Sequence, residues 1–201
     1  MIVKEYQSKE EWLLARKGKI TGSRLKDIIT KRGTGKKKGY YELIAERIAV
    51  PPTDENPLER GNRLETEAIH SFEHATGKEV DTSLVLWMRE DDESIAISPD
   101  GFIGDTEAVE VKCLSSASHI EAYLTNEIPN EYQDQVVQYF IVNDKLEKLY
   151  SVFYDPRIPC KDYFVIETTR EQLGTKIEEY LQYQKDVIDE IDQIVSDLTG
   201  F

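Results

Sequence analysis

The stretch from Ser98 to Cys113 restricts this chain more than any other. Ser98-Pro99-Asp100-Gly101 follows the alternating Ile95 and Ile97, Gly104-Asp105 marks a reversal, and Ala108 to Cys113 alternates again. Period-two patterning interrupted by Pro, Asp and Gly predicts two short strands joined by a tight turn. Successive side chains on a strand face opposite sides, so Glu110 and Lys112 share one face while Val109, Val111 and Cys113 share the other. With the turn near Gly104, Asp100 falls opposite Glu110. Two carboxylates and a lysine then converge at one end of a hairpin.

Carboxylate oxygens are hard ligands that suit Mg²⁺, which takes one or two of them with waters and substrate phosphate. A lysine beside such a metal can orient a water aimed at phosphorus, or take its proton. The plainer reading is a surface hairpin carrying an exposed Glu–Lys pair. E-x-K alone is common; a Pro-Asp-Gly strand end followed by E-x-K inside an apolar strand is more specific.

Length and charge set the frame for that site. A chain of 201 residues is long enough for one domain with a sizeable core. No apolar run reaches transmembrane length, the N-terminus carries no signal-peptide pattern, and a cytoplasmic location is expected. Two cysteines, Cys113 and Cys160, make no disulfide framework and favour a reducing compartment. They also fall short of the four thiolates of an iron–sulfur cluster. The formal net charge of −14 is unevenly spread: residues 1–50 hold 13 Lys+Arg against 6 Asp+Glu, the rest 12 against 33. The basic N-terminal quarter can attract phosphate while the acidic remainder repels duplex elsewhere. An ordinary acidic protein with a solvated lysine loop fits the same counts.

The N-terminal quarter reads as a helix over Glu10 to Arg16, broken at Lys17-Gly18-Lys19. A second helix is expected from Arg24 to Thr30, capped by Thr21 or Ser23. Free backbone N–H groups, a hydroxyl and an arginine would suit an anion there, although a plain capped helix is the simpler account. The glycine-interrupted run Lys31 to Gly39, with Lys36, Lys37 and Lys38, is a basic loop for non-specific phosphate contact or merely a solvated loop. Tyr40 to Val50 is a helix ended by Pro51-Pro52.

A long helix is expected over Leu58 to Thr76, closed by Gly77. Leu58, Gly61, Ala68, Ile69 and Phe72 form its apolar stripe, and Glu65 lies inside it. A carboxylate there is costly unless it binds a metal or pairs, for which Arg60 and Arg63 are at hand. His70 and His74 have metal-pair spacing but fall outside the buried face. Val80 to Met88 reads as a strand, Ser115 to Leu124 and Glu131 to Asn143 as helices, Leu146 to Tyr154 and Tyr163 to Thr168 as strands. Asp155-Pro156-Arg157 fixes a turn. Arg170 to Leu198 is one long amphipathic helix, with Ile177, Leu181, Ile188, Ile191, Val195 and Leu198 on one side. It would cover the protein's own sheet or, failing that, meet another subunit.

Several of these stretches resemble one family. S-P-D-G followed by E-V-K-C resembles the PD-(D/E)xK nucleases and, among them, the lambda exonuclease (YqaJ viral-recombinase) family. Trp12, Arg16, Gly18, Ile20, Thr21 and Ser23 complete that family's W-x-x-x-R-x-G-x-[IV]-T-x-S stretch, and Gly61 to Glu65 its G-x-x-x-E. Tyr132 to Gln138 matches Y-x-x-Q-V-Q imperfectly: Gln135 aligns with the first glutamine, Val137 replaces the second, and Gln138 follows one residue late.

The resemblance implies an α/β fold with a restriction-endonuclease-like core, a central mixed sheet flanked by helices. The implied single nuclease domain runs 1–201, with a basic DNA-end-binding region at 1–50, a catalytic core at 58–168 and a C-terminal helix at 170–199. It implies a Mg²⁺-dependent 5′→3′ exonuclease acting on 5′-phosphorylated ends of double-stranded DNA, with Mn²⁺ as a substitute metal. Asp100 would bridge two metals about 4 Å apart, Glu110 and the Val111 carbonyl would complete the first, and Glu65 would support the second. Lys112 would position and deprotonate the attacking water. Arg16, Ser23 and Ser98 would hold the 5′-phosphate, joined by Gln135 or Gln138, with Trp12, Thr21 and the lysines 36–38 as further DNA contacts. A ring-shaped homotrimer, a single-strand annealing partner in phage recombination, and a phage or prophage origin in a bacterial cell are implied in the same way. A sequence-specific endonuclease on the same core and a non-catalytic DNA-end binder are the competing classes. The complete Trp12–Ser23 stretch opposes the first, and intact Asp100, Glu110 and Lys112 oppose the second.

Overall fold

The structure, a computed structural model, describes residues 4, 6–28, 35–51 and 57–200. Helix α1 (Lys9–Ala15) starts where Ser8 accepts a hydrogen bond from the Glu11 amide, and the chain turns at Gly18, whose φ of +66° favours glycine. The next segment differs from the helix expected over 24–30. It is a 3-10 turn, Gly22–Asp27, and residues 29–34, including part of the basic loop, lie outside the described residues. Its ends are tied to helix α2 (Lys38–Ile48): Arg24 pairs with Glu46, and the Asp27 carbonyl lies where a Cβ on Gly39 would sit 2.6 Å away. A segment held that closely at both ends adopts the tighter winding.

Helix α3 (Pro57–Thr76) ends at Gly77, φ +70°. Ala68, Ile69 and Phe72 are buried as expected, and so is Leu64, which the stripe read from the sequence had passed over. Strand β1 is only Trp87–Met88, paired antiparallel with β2 (Ala96–Ile97). The strand expected over 80–88 is therefore mostly irregular. Asp81 makes a single bridge to Phe102, after which Leu84 and Leu86 stand exposed. Apolar alternation without a partner strand does not make a strand.

The hairpin forms as its pattern requires. Strand β3 (Gly101–Ile103) pairs antiparallel with β4 (Glu107–Lys112) in the register Gly101 to Val109, and the reversal falls at Gly104, φ +58°. The glycine of S-P-D-G has a packing reason, because a Cβ on Gly101 would meet Val80 Cγ1 at 2.4 Å. After β4 come α4 (Ser116–Thr125, capped by Ser115), α5 (Asn130–Val142), β5 (Lys148–Tyr154) and β6 (Tyr163–Thr169). The main sheet runs β3-β4-β5-β6.

The C-terminal segment is two helices where one was expected. Gly174, φ +52°, separates α6 (Arg170–Leu173) from α7 (Lys176–Thr199). Helix α7 packs on α5, burying Ile177 and half-burying Leu181 and Ile188. Beyond that point Ile191, Val195 and Leu198 are exposed, so the stripe covers α5 with its N-terminal half alone.

By its internal packing the chain divides into two units. One comprises residues 1–64, 113–127 and 153–164; the other, 65–112, 128–152 and 165–201. The first is centred on α2 and α4, where Tyr41 and Ala45 meet Ala117, Ile120 and Ile158. Its Asp155 is fully buried and accepts hydrogen bonds from Arg157 at 2.7 Å and Ser116 at 2.6 Å, while Arg157 also reaches the Leu114 carbonyl. The Asp-Pro-Arg turn is thus locked from inside.

The second unit is centred on α5 and the sheet, with Tyr139, Phe140, Ile141, Leu146 and Leu149 at its middle. Arg170 closes the C-terminal end of α5 by donating to the carbonyls of Phe140 (3.0 Å), Asn143 (2.6 Å) and Leu146 (2.9 Å). The Phe140 carbonyl is one of the last-turn acceptors that a helix end leaves without an intrahelical partner, and the other two lie in the turn that follows. Arg170→Ala is expected to destabilise the protein by about 2–3 kcal/mol, seen as a lower urea midpoint at unchanged slope.

Candidate active site

Strand β4 carries Glu110 into the interior, where the residue is 6% exposed. A buried carboxylate is tolerated only with its oxygens satisfied, and helix α5 supplies the partners. Gln135 donates to Glu110 Oε1 at 2.8 Å, and the Tyr139 hydroxyl donates to Oε2. Lys112, two residues along the same strand face, places Nζ 2.6 Å from Oε1. That ammonium also donates to Gln135 Oε1 at 2.8 Å and lies 4.3 Å from the centre of the Tyr132 ring. Three donors on one carboxylate, and two acceptors and an aromatic face around one ammonium, hold both side chains in a single arrangement.

Asp100 immediately precedes β3, and continuing the Gly101–Val109 register sets it opposite Glu110. Its Oδ2 accepts the Val111 amide at 2.7 Å. Burial and then the charge of Glu110 push its pKa up to about 7, with Glu65 adding to the rise, while the Val111 amide and Lys112 pull the other way. Glu65, on α3, is also raised, by burial and by Glu110. The Tyr139 phenol moves far upward through burial and Glu110, which keeps it a donor. The three carboxylates therefore feel one another across a partly buried space with one ammonium among them.

That electrostatic state fits a divalent cation. The donors are hard oxygens, short of compensating positive charge, and two of them hold protons more tightly than carboxylates ordinarily do. Among the described residues no three His, Cys, Asp or Glu side chains are grouped tightly enough to hold an ion as they stand. Asp100, Glu110 and Glu65 are the side chains that would hold it, with the Val111 carbonyl as a backbone donor beside them. Arg60, considered as a partner for Glu65, instead lies 4.0 Å from Asp155. His70 and His74 are exposed, and His70 faces Glu73 at 3.6 Å.

Of the two glutamines, the structure brings only Gln135 to this cluster. Gln138 donates to the Ala96 carbonyl and accepts from Gln184 on α7, so its amide is committed to packing. Tyr132 enters the sequence pattern only as the first position of Y-x-x-Q-V-Q, and Tyr139 lies just past it. Their signal was present: Tyr132, Gln135 and Tyr139 recur at spacings of three and four, on one face of α5.

The N-terminal residues gather separately, in the other unit. The Arg16 guanidinium lies 4.3 Å from the centre of the Trp12 ring and donates to Ser23 Oγ at 3.4 Å, and Thr21 Oγ1 is 3.3 Å from the same hydroxyl. Stacking and one weak hydrogen bond leave most of the guanidinium's donors facing outward. Ser98 is exposed just before Asp100. Lys36, Lys37 and Lys38 are exposed at the start of α2, with Lys36 over the Tyr40 ring and Lys37 donating to the Lys26 carbonyl.

The profile of the YqaJ-like viral recombinase domain matches residues 11–146, a span holding both clusters. Among solved structures, LHK-Exo in complex with dAMP is 30% identical over 96% of this chain and 99% of its own, with a TM-score of 0.60. A second structure, of an alkaline exonuclease (LHK-Exo) from Laribacter hongkongensis, is 28% identical over 94% of this chain and 100% of its own, with a TM-score of 0.54. No match was found among curated protein sequences. No helix among the described residues is long and apolar enough to cross a membrane. Nucleases of this kind generally use a divalent metal. With the profile spanning two-thirds of its length and exonucleases among its structural neighbours, the chain belongs to the YqaJ-like viral recombinase domain family.

Proposed function

We propose that the protein is a Mg²⁺-dependent exonuclease that degrades one strand 5′→3′ from 5′-phosphorylated ends of double-stranded DNA, leaving 3′ single-stranded overhangs for recombination. The observation that carries this is the Asp100–Glu110–Lys112 arrangement, three groups of the right chemistry held by one hairpin and one helix. Bound there, a divalent cation supplies Lewis-acid polarisation of the phosphodiester and an activated water. The family kinship supports homotrimer formation and a single-strand annealing partner.

The chain's own residues do the rest. Asp100, Glu110 and Glu65 bind the cation. Lys112, held in place by Glu110 and Gln135, orients the water by donating a hydrogen bond, and can take a proton from it only after giving up one of its own. Arg16, Ser23 and Thr21 offer a cation and hydroxyls to a terminal phosphate, with Trp12 fixing the plane of the guanidinium. Ser98 stands beside Asp100 as a further hydroxyl.

Lys112→Ala is expected to keep DNA binding and lose cleavage by about 10²–10⁴-fold; cleavage at the wild-type rate would remove Lys112 from the chemistry. Linear duplex with 5′-phosphate ends should yield mononucleotides and leftover single strand, and covalently closed circles should stay intact. Acid-soluble product from the circles would mark an endonuclease.

The protonation of Asp100 adds a test that needs no turnover. Its pKa is higher in the fold than in the unfolded chain, so its stabilising contribution is full below the ordinary carboxylate range and is lost as pH rises through about 7. Mg²⁺ replaces that proton and relieves the repulsion that follows its loss. The rise in Tm on adding Mg²⁺ should therefore be larger at pH 8 than at pH 6, and Asp100→Asn should remove the difference.

A further inference from the structure

The loop that connects Arg16 to Ser23 is held by helix α2 as well as by its own turns. Glu46, on α2, accepts the Gly18 amide at 2.6 Å through Oε2. Both of its oxygens also lie 2.7 Å from Arg24 Nη1, and Glu42 adds a longer contact to the same guanidinium. The next residue, Arg47, donates from Nε to the Gly18 carbonyl at 2.9 Å. Gly18 is thus bound through its amide and its carbonyl by consecutive α2 side chains. It is also buried, and a Cβ there would meet Arg47 Cγ at 2.9 Å. Helix α2 is itself anchored, because Tyr41 and Ala45 belong to the core it shares with α4.

Glu46 therefore ties down the loop on both sides of the hydroxyl pair. Gly18 lies two residues after Arg16, and Arg24 follows Ser23 directly. The same ion pair engages Arg24 with two carboxylates, while Arg16 rests on an aromatic face and a serine. Of these two arginines, the one held by uncharged groups is left to meet an anion.

We propose that Glu46 is a positioning residue for recognition of the 5′-phosphate: by clamping Gly18 and Arg24 it sets the Arg16–Ser23 spacing and keeps Arg24 out of the phosphate's reach. This rests on the reading of Arg16 and Ser23 as the phosphate site. Glu46 touches no substrate. It acts through the loop, so its removal alters selectivity between DNA ends rather than the chemistry at Asp100 and Glu110.

The test compares binding of 5′-phosphorylated and 5′-hydroxyl duplex by fluorescence anisotropy, in the full chain carrying Lys112→Ala so that DNA stays intact. Glu46→Gln is expected to weaken binding of the phosphorylated end by about tenfold and leave the hydroxyl end unchanged, bringing the ratio of affinities near one. In an Arg16→Ala background, Glu46→Gln should change the ratio no further, since both act on one contact. Glu46→Asp, which keeps the charge, should restore part of the preference. Hydrogen exchange should quicken at Gly18 and the following residues in Glu46→Gln and stay as in the parent over α4.

A phosphate preference that persists in Glu46→Gln overturns the clamp while leaving the phosphate site standing. Equal weakening on both ends, with a lowered Tm, would show a merely structural role and also overturn it. A parent protein indifferent to the terminal phosphate would remove the phosphate site itself, and the clamp's purpose with it.

Discussion

A carboxylate inside a strand has to be satisfied before anything else about this protein can hold. Glu110 is nearly removed from water, and unpaired it would cost several kcal/mol. Its oxygens instead meet Lys112, Gln135 and Tyr139, so β4 and α5 are joined by polar contacts of fixed geometry as well as by the apolar core. Ala108 of β4 shares one apolar cluster with Phe140 and Ile141 of α5 and Leu149 of β5. Any displacement of α5 along the sheet would leave a buried charge without partners. The core's shape and the site's geometry are for that reason one constraint.

The cost of grouping acids appears at Asp100 and Glu65, whose protons are held more tightly than usual by burial and by Glu110. Such tension is stored where a cation or a proton is meant to enter, and catalytic centres collect shifts of this kind. The structural ion pairs elsewhere behave differently. Asp155 is fully buried, yet Arg157 and Ser116 outweigh that burial and hold its carboxyl below the ordinary range. One buried aspartate is neutralised by its own turn; the other is left in need of a positive charge. Under the proposed function, the contrast separates a structural acid from a metal-binding one within a single chain.

The N-terminal cluster follows the same economy at the surface. Arg16 is given an aromatic plane and a hydroxyl, neither of which cancels its charge, whereas neighbouring Arg24 is met by Glu46 and Glu42. The overall charge of −14 therefore says little about where an anion is welcome. Local pairing decides that, because exposed charges beyond about 10 Å are screened at moderate salt.

What the residue order determined by itself was whatever depends on near neighbours. Period-two alternation around a Gly-bearing turn placed the β3–β4 hairpin and the face shared by Glu110 and Lys112, because a two-strand turn needs no information from elsewhere. Helix α5 and the end of α3 at Gly77 were legible for the same reason. Tertiary structure alone decided which polar groups on α5 reach β4. Tyr132, Gln135 and Tyr139 turn inward while Gln138 turns to α7, and only the angle at which the helix lies on the sheet separates the two faces. It also decided that Leu84 and Leu86 find no partner strand among the described residues and that the Gly22–Asp27 segment winds as 3-10 against α2. Each of these outcomes is fixed by residues tens of positions away, whose distance in space no local pattern encodes.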